Sequence, residues 1–219
     1  MMVLGETKWD EYDKVGRPVF SADGSTVGIV VTRSNRAFLL NGPRPHSILD
    51  SNVGTFVELG DPSFSRDGRV WAYRGRMMKI KEKVIREQIV MARGTLEGQE
   101  VLFREEMDPL YESVSDPVVS PDGKLVAYAA SKGSRKYLVV GGKPTLKFSL
   151  IDRISFGPDG RTLAYRAGQY GKEFIIAGNS RSEEFDQVLS GPLWSADGKK
   201  VAFTVRNGAE LWRKVLEVK

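Results

Sequence analysis

Residues 117–130 read PVVSPDGKLVAYAA, which is the clearest of five copies of one unit. A short segment opened by proline leads into Ser-x-Asp-Gly, and an apolar run rich in β-formers follows at once. Proline has a fixed φ and no N–H, which suits the start of a strand, while Asp-Gly favours a tight turn. Each copy therefore predicts two strands joined as a hairpin. The other copies are PVFSADG at 18–24, PSFSRDG at 62–68, ISFGPDG at 154–160 and PLWSADG at 192–198.

Two further strands are predicted between one copy and the next. A third strand follows a polar loop, as in KYLVVGG at 136–142 and EFIIAGN at 173–179. A fourth, more polar strand precedes the next copy, as in FSLIDR at 148–153 and EEFDQVLS at 183–190. Regular recurrence of such a unit predicts an all-β protein made of repeated sheets.

The two ends of the chain carry complementary pieces of the unit. The fifth copy ends after its third strand, while DEYDKVG at 10–16 matches the fourth-strand pattern with no unit before it. We therefore expect residues 10–16 to complete the last sheet and close a ring, because a closed ring leaves only short edges. The expected fold is a five-bladed β-propeller of four-stranded antiparallel blades in a single domain. The expected blades are 18–61, 62–116, 117–153, 154–191, and 192–219 together with 10–16.

The unit also resembles a known repeat. The pattern (Y/F)-D-x-V-x-x-P-x-(F/W)-S-x-D-G-x-x-(V/L)-A-(Y/F) is similar to the TolB-type, WD-repeat-like β-propeller repeat over nearly all of the chain. The fourth copy departs from it, with Gly157 in place of the serine and Ile154 in place of the proline, and the second copy carries an insertion. Proteins with this repeat serve as interaction platforms, envelope components or propeller domains of peptidases. The resemblance implies a binding scaffold and transfers no catalytic motif.

Composition excludes several kinds of chemistry. The 219 residues include no cysteine and a single histidine, His46, which we expect at the surface. Disulfides, thiolate nucleophiles and zinc sites made of histidine or cysteine are thereby excluded for one chain. No Gly-x-Ser-x-Gly surrounds any serine, and one aspartate per turn does not supply the converging oxygens that calcium needs. We expect no metal, no cofactor and no catalytic residue.

A basic face is the first of two candidate sites. The loops between the second and third strands share one face of a propeller, and the net charge of +5 favours an anionic partner. Charges within about 8–10 Å of one another add their potentials at physiological salt. The alternative is an ordinary solvated surface, because loops commonly carry lysine and arginine. The candidate residues are Arg33, Arg36, Arg74, Arg76, Lys79, Lys81, Lys83, Arg135 and Lys136.

The mouth of the central channel is the second candidate site. Arg17, Asp61, Asp116 and Arg153 each come just before an innermost strand of the expected ring. Glycosidases need two carboxylates about 5–10 Å apart, one of them with a raised pKa. The two arginines on the same rim favour ionised carboxylates, so a salt-bridged rim is the alternative.

The expected function is a non-enzymatic binding module that presents loops to a protein or another anionic partner. A glycan-binding or glycan-hydrolysing propeller is the alternative, and nucleic acid is a less favoured partner. No apolar run approaches 18 residues and no signal peptide is recognisable, so we expect no membrane span and a cytoplasmic monomer, or a periplasmic one if a signal peptide has been removed. The insertion in the second unit is either a contact surface or a longer loop packed on its own blade.

Overall fold

Every described strand of this protein lies in an antiparallel sheet, and the described residues contain no helix. The structure is a computed structural model and describes residues 2–4, 7–9, 12–41, 55–79, 84–95, 98–106 and 111–219. Within these residues there is accordingly no helix that could cross a membrane. The chain divides into two compact units, residues 1–109 and 110–219. The predicted all-β class is confirmed.

The first unit holds a small hairpin and two sheets. The hairpin joins β1 (Met2–Leu4) to β2 (Thr7–Trp9). Sheet 1 has the order β3 (Lys14–Phe20), β4 (Val27–Arg33), β5 (Arg36–Asn41). Sheet 2 contains β6 (Thr55–Leu59), β7 (Ser63–Phe64), β8 (Val70–Lys79), β9 (Val84–Thr95) and β10 (Gly98–Glu106). In sheet 2, β8 pairs with β6, β7 and β9, and β9 pairs with β10.

The second unit holds three sheets. Sheet 3 contains β11 (Ser113–Val114), β12 (Val118–Val119), β13 (Val126–Lys132), β14 (Arg135–Val140) and β15 (Lys143–Phe148). Sheet 4 has the order β16 (Leu150–Phe156), β17 (Leu163–Gln169), β18 (Lys172–Ala177), β19 (Ser180–Arg181). Sheet 5 has the order β20 (Gln187–Trp194), β21 (Lys200–Asn207), β22 (Glu210–Glu217).

The Ser-x-Asp-Gly turn closes the hairpin between the first two strands of a sheet. In sheet 3 the Ser120 hydroxyl donates to Asp122 Oδ1 at 2.7 Å and accepts from the N–H of Leu125 at 2.9 Å. Gly123 has a φ of 70°, which glycine adopts without steric cost. These contacts give the serine and the aspartate a structural role, as predicted. The same pair of serine bonds recurs at Ser21, Ser65 and Ser195.

The turn of the fourth copy, which lacks the serine, lies against a tryptophan. A Cβ built on Gly157 would lie 3.3 Å from the ring of Trp194, which belongs to the next sheet. The indole N–H of Trp194 in turn donates to the Ser155 hydroxyl at 3.1 Å. Asp159 is held by the hydroxyl of Thr162 at 2.6 Å instead. A side chain at position 157 would therefore require the Trp194 ring to shift by a few tenths of an ångström.

The chain crosses from one sheet to the next earlier than the sequence pattern suggests. Phe148 ends β15 and pairs with Lys136 in sheet 3, while Leu150 already pairs with Gly168 in sheet 4. At the next crossing, Phe185 bridges to Glu173 in sheet 4, and Gln187 pairs with Arg206 in sheet 5. The segments FSLIDR and EEFDQVLS are thus not single outer strands. Each ends one sheet at its aromatic residue and begins the inner strand of the following sheet.

The same correction applies at the amino terminus. Lys14 pairs with Thr32 and Val15 with Val31, so these residues open the inner strand of sheet 1. Between Val15 and Pro18 the register shifts, as expected for a β-bulge at a residue without an N–H. The prediction that residues 10–16 complete the last sheet is therefore wrong, and no closed sheet is found in the described residues. Residues 10 and 11 lie outside those that the structure describes.

Buried apolar residues lie between consecutive sheets within each unit. One cluster joins Ala37 and Leu39 of sheet 1 to Leu59, Trp71 and Tyr73 of sheet 2. Two further clusters lie between sheets 3 and 4 and between sheets 4 and 5. Sheets 1 and 2 approach each other so closely at Gly28 that a Cβ built on this residue would lie 2.6 Å from the Phe64 ring. Side-chain alternation along β13 and β17, the second strands of sheets 3 and 4, places buried residues on both faces of each strand.

Candidate interaction surface

Tight turns join the second strand to the third in four of the five sheets. In sheet 1 the turn is Ser34–Asn35, with φ of 51° and 60°, and Arg33 pairs with Arg36 beside it. In sheet 3 the turn is Gly133–Ser134, flanked by the pair Lys132 and Arg135. Positive φ in the first turn residue matches the twist of the two strands. The corresponding turn of sheet 2, residues 80–83, lies outside the described residues.

A carboxylate from the crossing segment caps three of these turns. Asp13 accepts from the N–H of Ser34 at 2.7 Å, Glu112 from Gly133 at 3.2 Å, and Asp186 from Gly208 at 2.6 Å. The Gly208 N–H and the Lys172 ammonium group lower the pKa of Asp186. The aspartate of the D-x-V pattern therefore holds the far end of the hairpin and adds negative charge to the predicted basic face.

Arg74 and Arg76 do not lie in a loop. Both belong to β8, and both form ion pairs with Glu58 on the neighbouring β6, at 3.5 and 2.7 Å. The hydrogen bond from Arg76 lowers the pKa of Glu58, with a smaller contribution from the charge of Arg74. These two arginines therefore make much less positive surface than their number suggests.

The remaining predicted cations of the second repeat copy lie in or next to its insertion. Lys79 is the last residue of β8, while Lys81 and Lys83 lie outside the described residues. His46 also lies outside them. The basic segment 79–83 remains a prediction from sequence.

Cations at the tips of sheets 4 and 5 are already engaged. Lys172 pairs with Asp186 at 2.6 Å. Arg206 donates to the carbonyl oxygen of Gly208 at 3.1 Å. Arg166 is only 14% exposed and pairs with Asp152 and with Glu173. It is a bridge between strands rather than a surface charge.

A groove of about 280 Å³ remains at the tips of sheets 3 and 4, where unneutralised charge and aromatic surface meet. Arg135 and Lys147 line it, and among the described residues neither has an ion-pair partner. Tyr170 is 94% exposed at its rim and has a φ of 52°, which is uncommon for a tyrosine. The remaining lining residues are Ser134, Phe148, Ser149 and Gln169.

One side of this groove lacks the acidic cap that is found at three other turns. The position held by the capping carboxylates Asp13, Glu112 and Asp186 is Ser149 in the fourth copy, and Ser149 donates to the Gly168 carbonyl at 2.7 Å. The Tyr170 turn therefore has no acidic cap. An alignment of the crossing segments of the five copies predicts this difference from sequence, whereas the cations of the loops point to Arg135 and not to Lys147 or Tyr170, which line the same groove.

Two of the four residues of the predicted channel mouth form an ion pair. In the first unit the guanidinium of Arg17 contacts Asp61 Oδ2 at 2.8 and 2.5 Å. In the second unit Asp116 and Arg153 are exposed, and Arg153 has a φ of 51° at the bulge of β16. The described residues contain no cluster of side chains suited to a metal ion.

No family model and no curated protein matches the chain. Solved structures do match it at low identity. TolB from Acinetobacter baumannii is 18% identical with a TM-score of 0.57, and the match covers 94% of this chain and 52% of TolB. The β-propeller domain of the Trilobed protease from Pyrococcus furiosus is 18% identical with a TM-score of 0.52, covering 74% of this chain and 54% of that domain.

A peptidase gives a similar match. Acylaminoacyl peptidase from Pyrococcus horikoshii is 14% identical with a TM-score of 0.56, and the match covers 93% of this chain and 38% of the peptidase. This chain thus spans about half, or less, of the length of these proteins. At such identities the likeness shows the fold alone, which is that of a β-propeller.

Proposed function

We propose that this protein is a non-enzymatic β-propeller module that binds an acidic protein segment in the groove between the tips of sheets 3 and 4. One observation carries the proposal: two cations and an exposed aromatic ring line the same groove. The cations are Arg135 and Lys147, neither of which has an ion-pair partner among the described residues, and the ring is that of Tyr170. The likeness to TolB and to peptidase propellers supports a scaffold of this type.

Charge would provide attraction and orientation. Arg135 offers a planar fork of donors that fits a carboxylate, and Lys147 offers a second positive charge at the same groove. A cationic groove raises the association rate of an anionic partner, in a manner that salt weakens. We therefore expect the bound segment to contain closely spaced Asp or Glu residues.

Aromatic surface would provide the rest of the binding energy. Tyr170 and Phe148 line the groove, and rings of this kind commonly anchor protein interfaces. The φ of Tyr170 lies where side chains are strained, and such strain tends to occur at functional positions. We expect an apolar residue of the partner, flanked by its acidic residues, to pack on this tyrosine.

The scaffold that we propose has five blades, one for each Ser-x-Asp-Gly turn, within a single domain. Each blade would be built from consecutive strands, without a strand shared between the two ends of the chain. The propeller of the Pyrococcus furiosus protease is described as having an open velcro topology, which supports such an arrangement. The TolB-type repeat pattern agrees with this proposal.

Peptide binding to paired variants tests the function. The probe is a fluorescent oligo-glutamate peptide with one central phenylalanine, and the readout is anisotropy at low and moderate salt. Arg135→Glu/Lys147→Glu should raise the dissociation constant by about tenfold or more, and Tyr170→Ala should weaken binding without changing the salt dependence. Lys143→Glu/Arg161→Glu changes the net charge equally outside the groove and should leave affinity within about twofold.

Several outcomes would contradict the proposal. Equal weakening by the two double variants would mean that only net charge matters. Tighter binding of a single-stranded oligonucleotide than of the peptide would favour a nucleic-acid partner instead. Unchanged binding in the Arg135→Glu/Lys147→Glu variant would show that the peptide does not bind in this groove. The segment containing Lys79, Lys81 and Lys83 would then be tested by replacing all three lysines with glutamate.

A further inference from the structure

The outer edge of the last strand of sheet 5 has no partner strand in the part of the chain that the structure describes. β22 pairs with β21 over its whole length, from Glu210 to Glu217, and no other described strand is hydrogen-bonded to it. The third strands of sheets 2, 3 and 4 are each covered by a further strand, β10, β15 and β19. An uncovered edge of eight residues is long for a sheet edge and is a ready template for another strand.

Backbone hydrogen bonding shows which groups of β22 face this edge. The N–H of Val218 donates to the carbonyl oxygen of Lys199 at 2.9 Å, so Val218 faces β21. In an antiparallel pair, residues alternate between facing their partner and facing away from it. The N–H and C=O groups of Leu211, Arg213, Val215 and Glu217 therefore point outward from the edge.

The side chains of the same four residues share one exposed face. Leu211 is 66% and Val215 59% exposed, and Leu193 on β20 is exposed on the same face through its pairing with Ala202. Arg213 has no ion-pair partner among the described residues, and Glu217 makes only a long contact with Lys200, at 3.7 Å. This combination of an open ladder, exposed apolar groups and available charges is unusual for a strand that stays unpaired.

We propose that β22 pairs with β22 of a second copy of this chain, antiparallel and about a two-fold axis at Val215. The two valines would then lie opposite each other, and Arg213 of each copy would lie opposite Glu217 of the other. All outward N–H and C=O groups from Arg213 to Glu217 would be hydrogen-bonded. The two sheets 5 would form one continuous six-stranded sheet across the dimer.

Charge selects this register. Pairing centred on Arg213 would place two guanidinium groups against each other, and pairing centred on Lys214 would do the same with two ammonium groups. A register centred on Trp212 would put Leu211 opposite Arg213 and form no ion pair on the exposed face. Only the register centred on Val215 combines an apolar centre with two flanking pairs of opposite charge, which favour pairing across strands.

A proline at the edge gives the first test, by sedimentation of the whole chain over a wide range of concentration. The N–H of Val215 faces away from β21, so Val215→Pro should leave sheet 5 intact while removing a donor from the dimer ladder. We expect wild type to dimerise, and Val215→Pro to raise the dimer dissociation constant by about tenfold or more. Val215→Thr keeps the N–H and should dimerise nearly as well as wild type.

Charge exchange gives the second test, which also identifies the occupant and the register. Arg213→Glu alone should prevent self-association, because carboxylates would face each other at both pairs, and Glu217→Arg alone should do so with guanidinium groups. An equimolar mixture of these two variants restores both pairs and should dimerise about as strongly as wild type. The double variant Arg213→Glu/Glu217→Arg should also self-associate.

Three results would contradict the proposed dimer. A wild-type protein that stays monomeric at every concentration overturns the proposal. A dimer whose dissociation constant is unaffected by Val215→Pro also overturns it. The same is true if the Arg213→Glu and Glu217→Arg variants do not dimerise when they are mixed. Circular dichroism and the thermal midpoint of each variant at low concentration establish that it is folded. Because the groove of sheets 3 and 4 is untouched, peptide binding should survive in all of these variants.

Discussion

Ser120 shows how one residue sets the geometry of a repeated turn. Its hydroxyl donates to Asp122 and accepts from the backbone N–H groups of Lys124 and Leu125. The side chain is fully buried, so water does not replace these bonds when the hydroxyl is lost. The serine therefore serves as an internal cap for the start of the second strand. Its repetition reflects a backbone requirement rather than catalysis.

Ser120→Ala should destabilise the protein. The buried N–H of Leu125 would lose its acceptor, which typically costs about 1–3 kcal/mol in the free energy of unfolding. Urea unfolding monitored by circular dichroism would measure the change. The matched control is Ser134→Ala, an exposed serine in the turn of sheet 3, for which we expect a change of less than about 0.5 kcal/mol. Equal effects of the two substitutions would contradict the capping role.

Arg166 links two sheets as well as two strands. On β17 it lies opposite Asp152 and donates to it through two nitrogens, and it also donates to Glu173 and to the carbonyl oxygen of Val188 on β20, the latter at 2.9 Å. Glu173 accepts from the N–H of the same Val188 at 2.7 Å. Both backbone groups of Val188 are thus held by sheet 4, at the point where the register of β20 shifts. The hydrogen bond to Asp152 is the main cause that raises the pKa of Arg166.

Arg166→Met should destabilise the second unit by about 2–3 kcal/mol, because it leaves the Asp152 and Glu173 carboxylates without a counter-charge and removes a donor from the Val188 carbonyl oxygen. This is below the usual cost of breaking a fully buried pair, since the Asp152 side chain is 36% exposed. Adding Glu173→Gln should recover part of the loss, because one unpaired charge is removed. Denaturant unfolding of the four members of this double-mutant cycle gives the coupling. Additive effects, or an equal loss from the exposed Arg161→Met, would contradict the bridge.

At the scale of the whole molecule, each sheet carries one turn aspartate whose ionised form is stabilised. The Ser21 hydroxyl, followed by the N–H and hydroxyl of Ser25, lowers the pKa of Asp23 from 3.8 to about 2. Serine hydroxyls are likewise the main cause of the lowered pKa of Asp67, Asp122 and Asp197. At Asp159 burial alone would raise the pKa, but bonds from Thr162 and Arg161 outweigh it. The same electrostatic dependence is therefore distributed over all five sheets.

Acid should consequently destabilise the protein in a defined pH window. A carboxyl whose pKa is lower in the folded state stabilises that state fully above its unfolded value, 3.8 for Asp23, and the contribution is lost as the pH falls towards about 2. The free energy of unfolding should thus fall steeply between those values. Asp23→Asn should be less stable than wild type at neutral pH and lose less on acidification. Parallel pH profiles for the two proteins, measured by urea unfolding, would contradict this account.

Local chemistry explains what could be predicted from sequence. The five hairpins, the structural role of their serines and aspartates, and the all-β class follow from contacts between residues at most a few positions apart. The position of Arg135 beside a hairpin turn was also predicted, because the turn follows a recognisable polar loop in the repeat. The prediction that FSLIDR and EEFDQVLS are single outer strands was wrong. The sequence pattern of such a segment is the same whether the chain stays in one sheet or passes to the next sheet after the aromatic residue. Only the pairing of Phe148 with Lys136 and of Leu150 with Gly168 reveals the crossing.

By itself, then, the sequence determined the repeated unit and its turns, since their hydrogen bonds are made within the unit. The tertiary structure decided which charges remain available and which edge remains open. Arg166 is neutralised by Asp152 and Glu173, and Arg74 by Glu58, whereas Arg135 and Lys147 line a groove beside the Tyr170 turn, where Ser149 takes the place of an acidic cap. Likewise, residues 14–16 pair within sheet 1 and leave β22 uncovered in the described part of the chain. These outcomes depend on residues far apart in sequence, whose proximity is set by how strands pair and sheets pack.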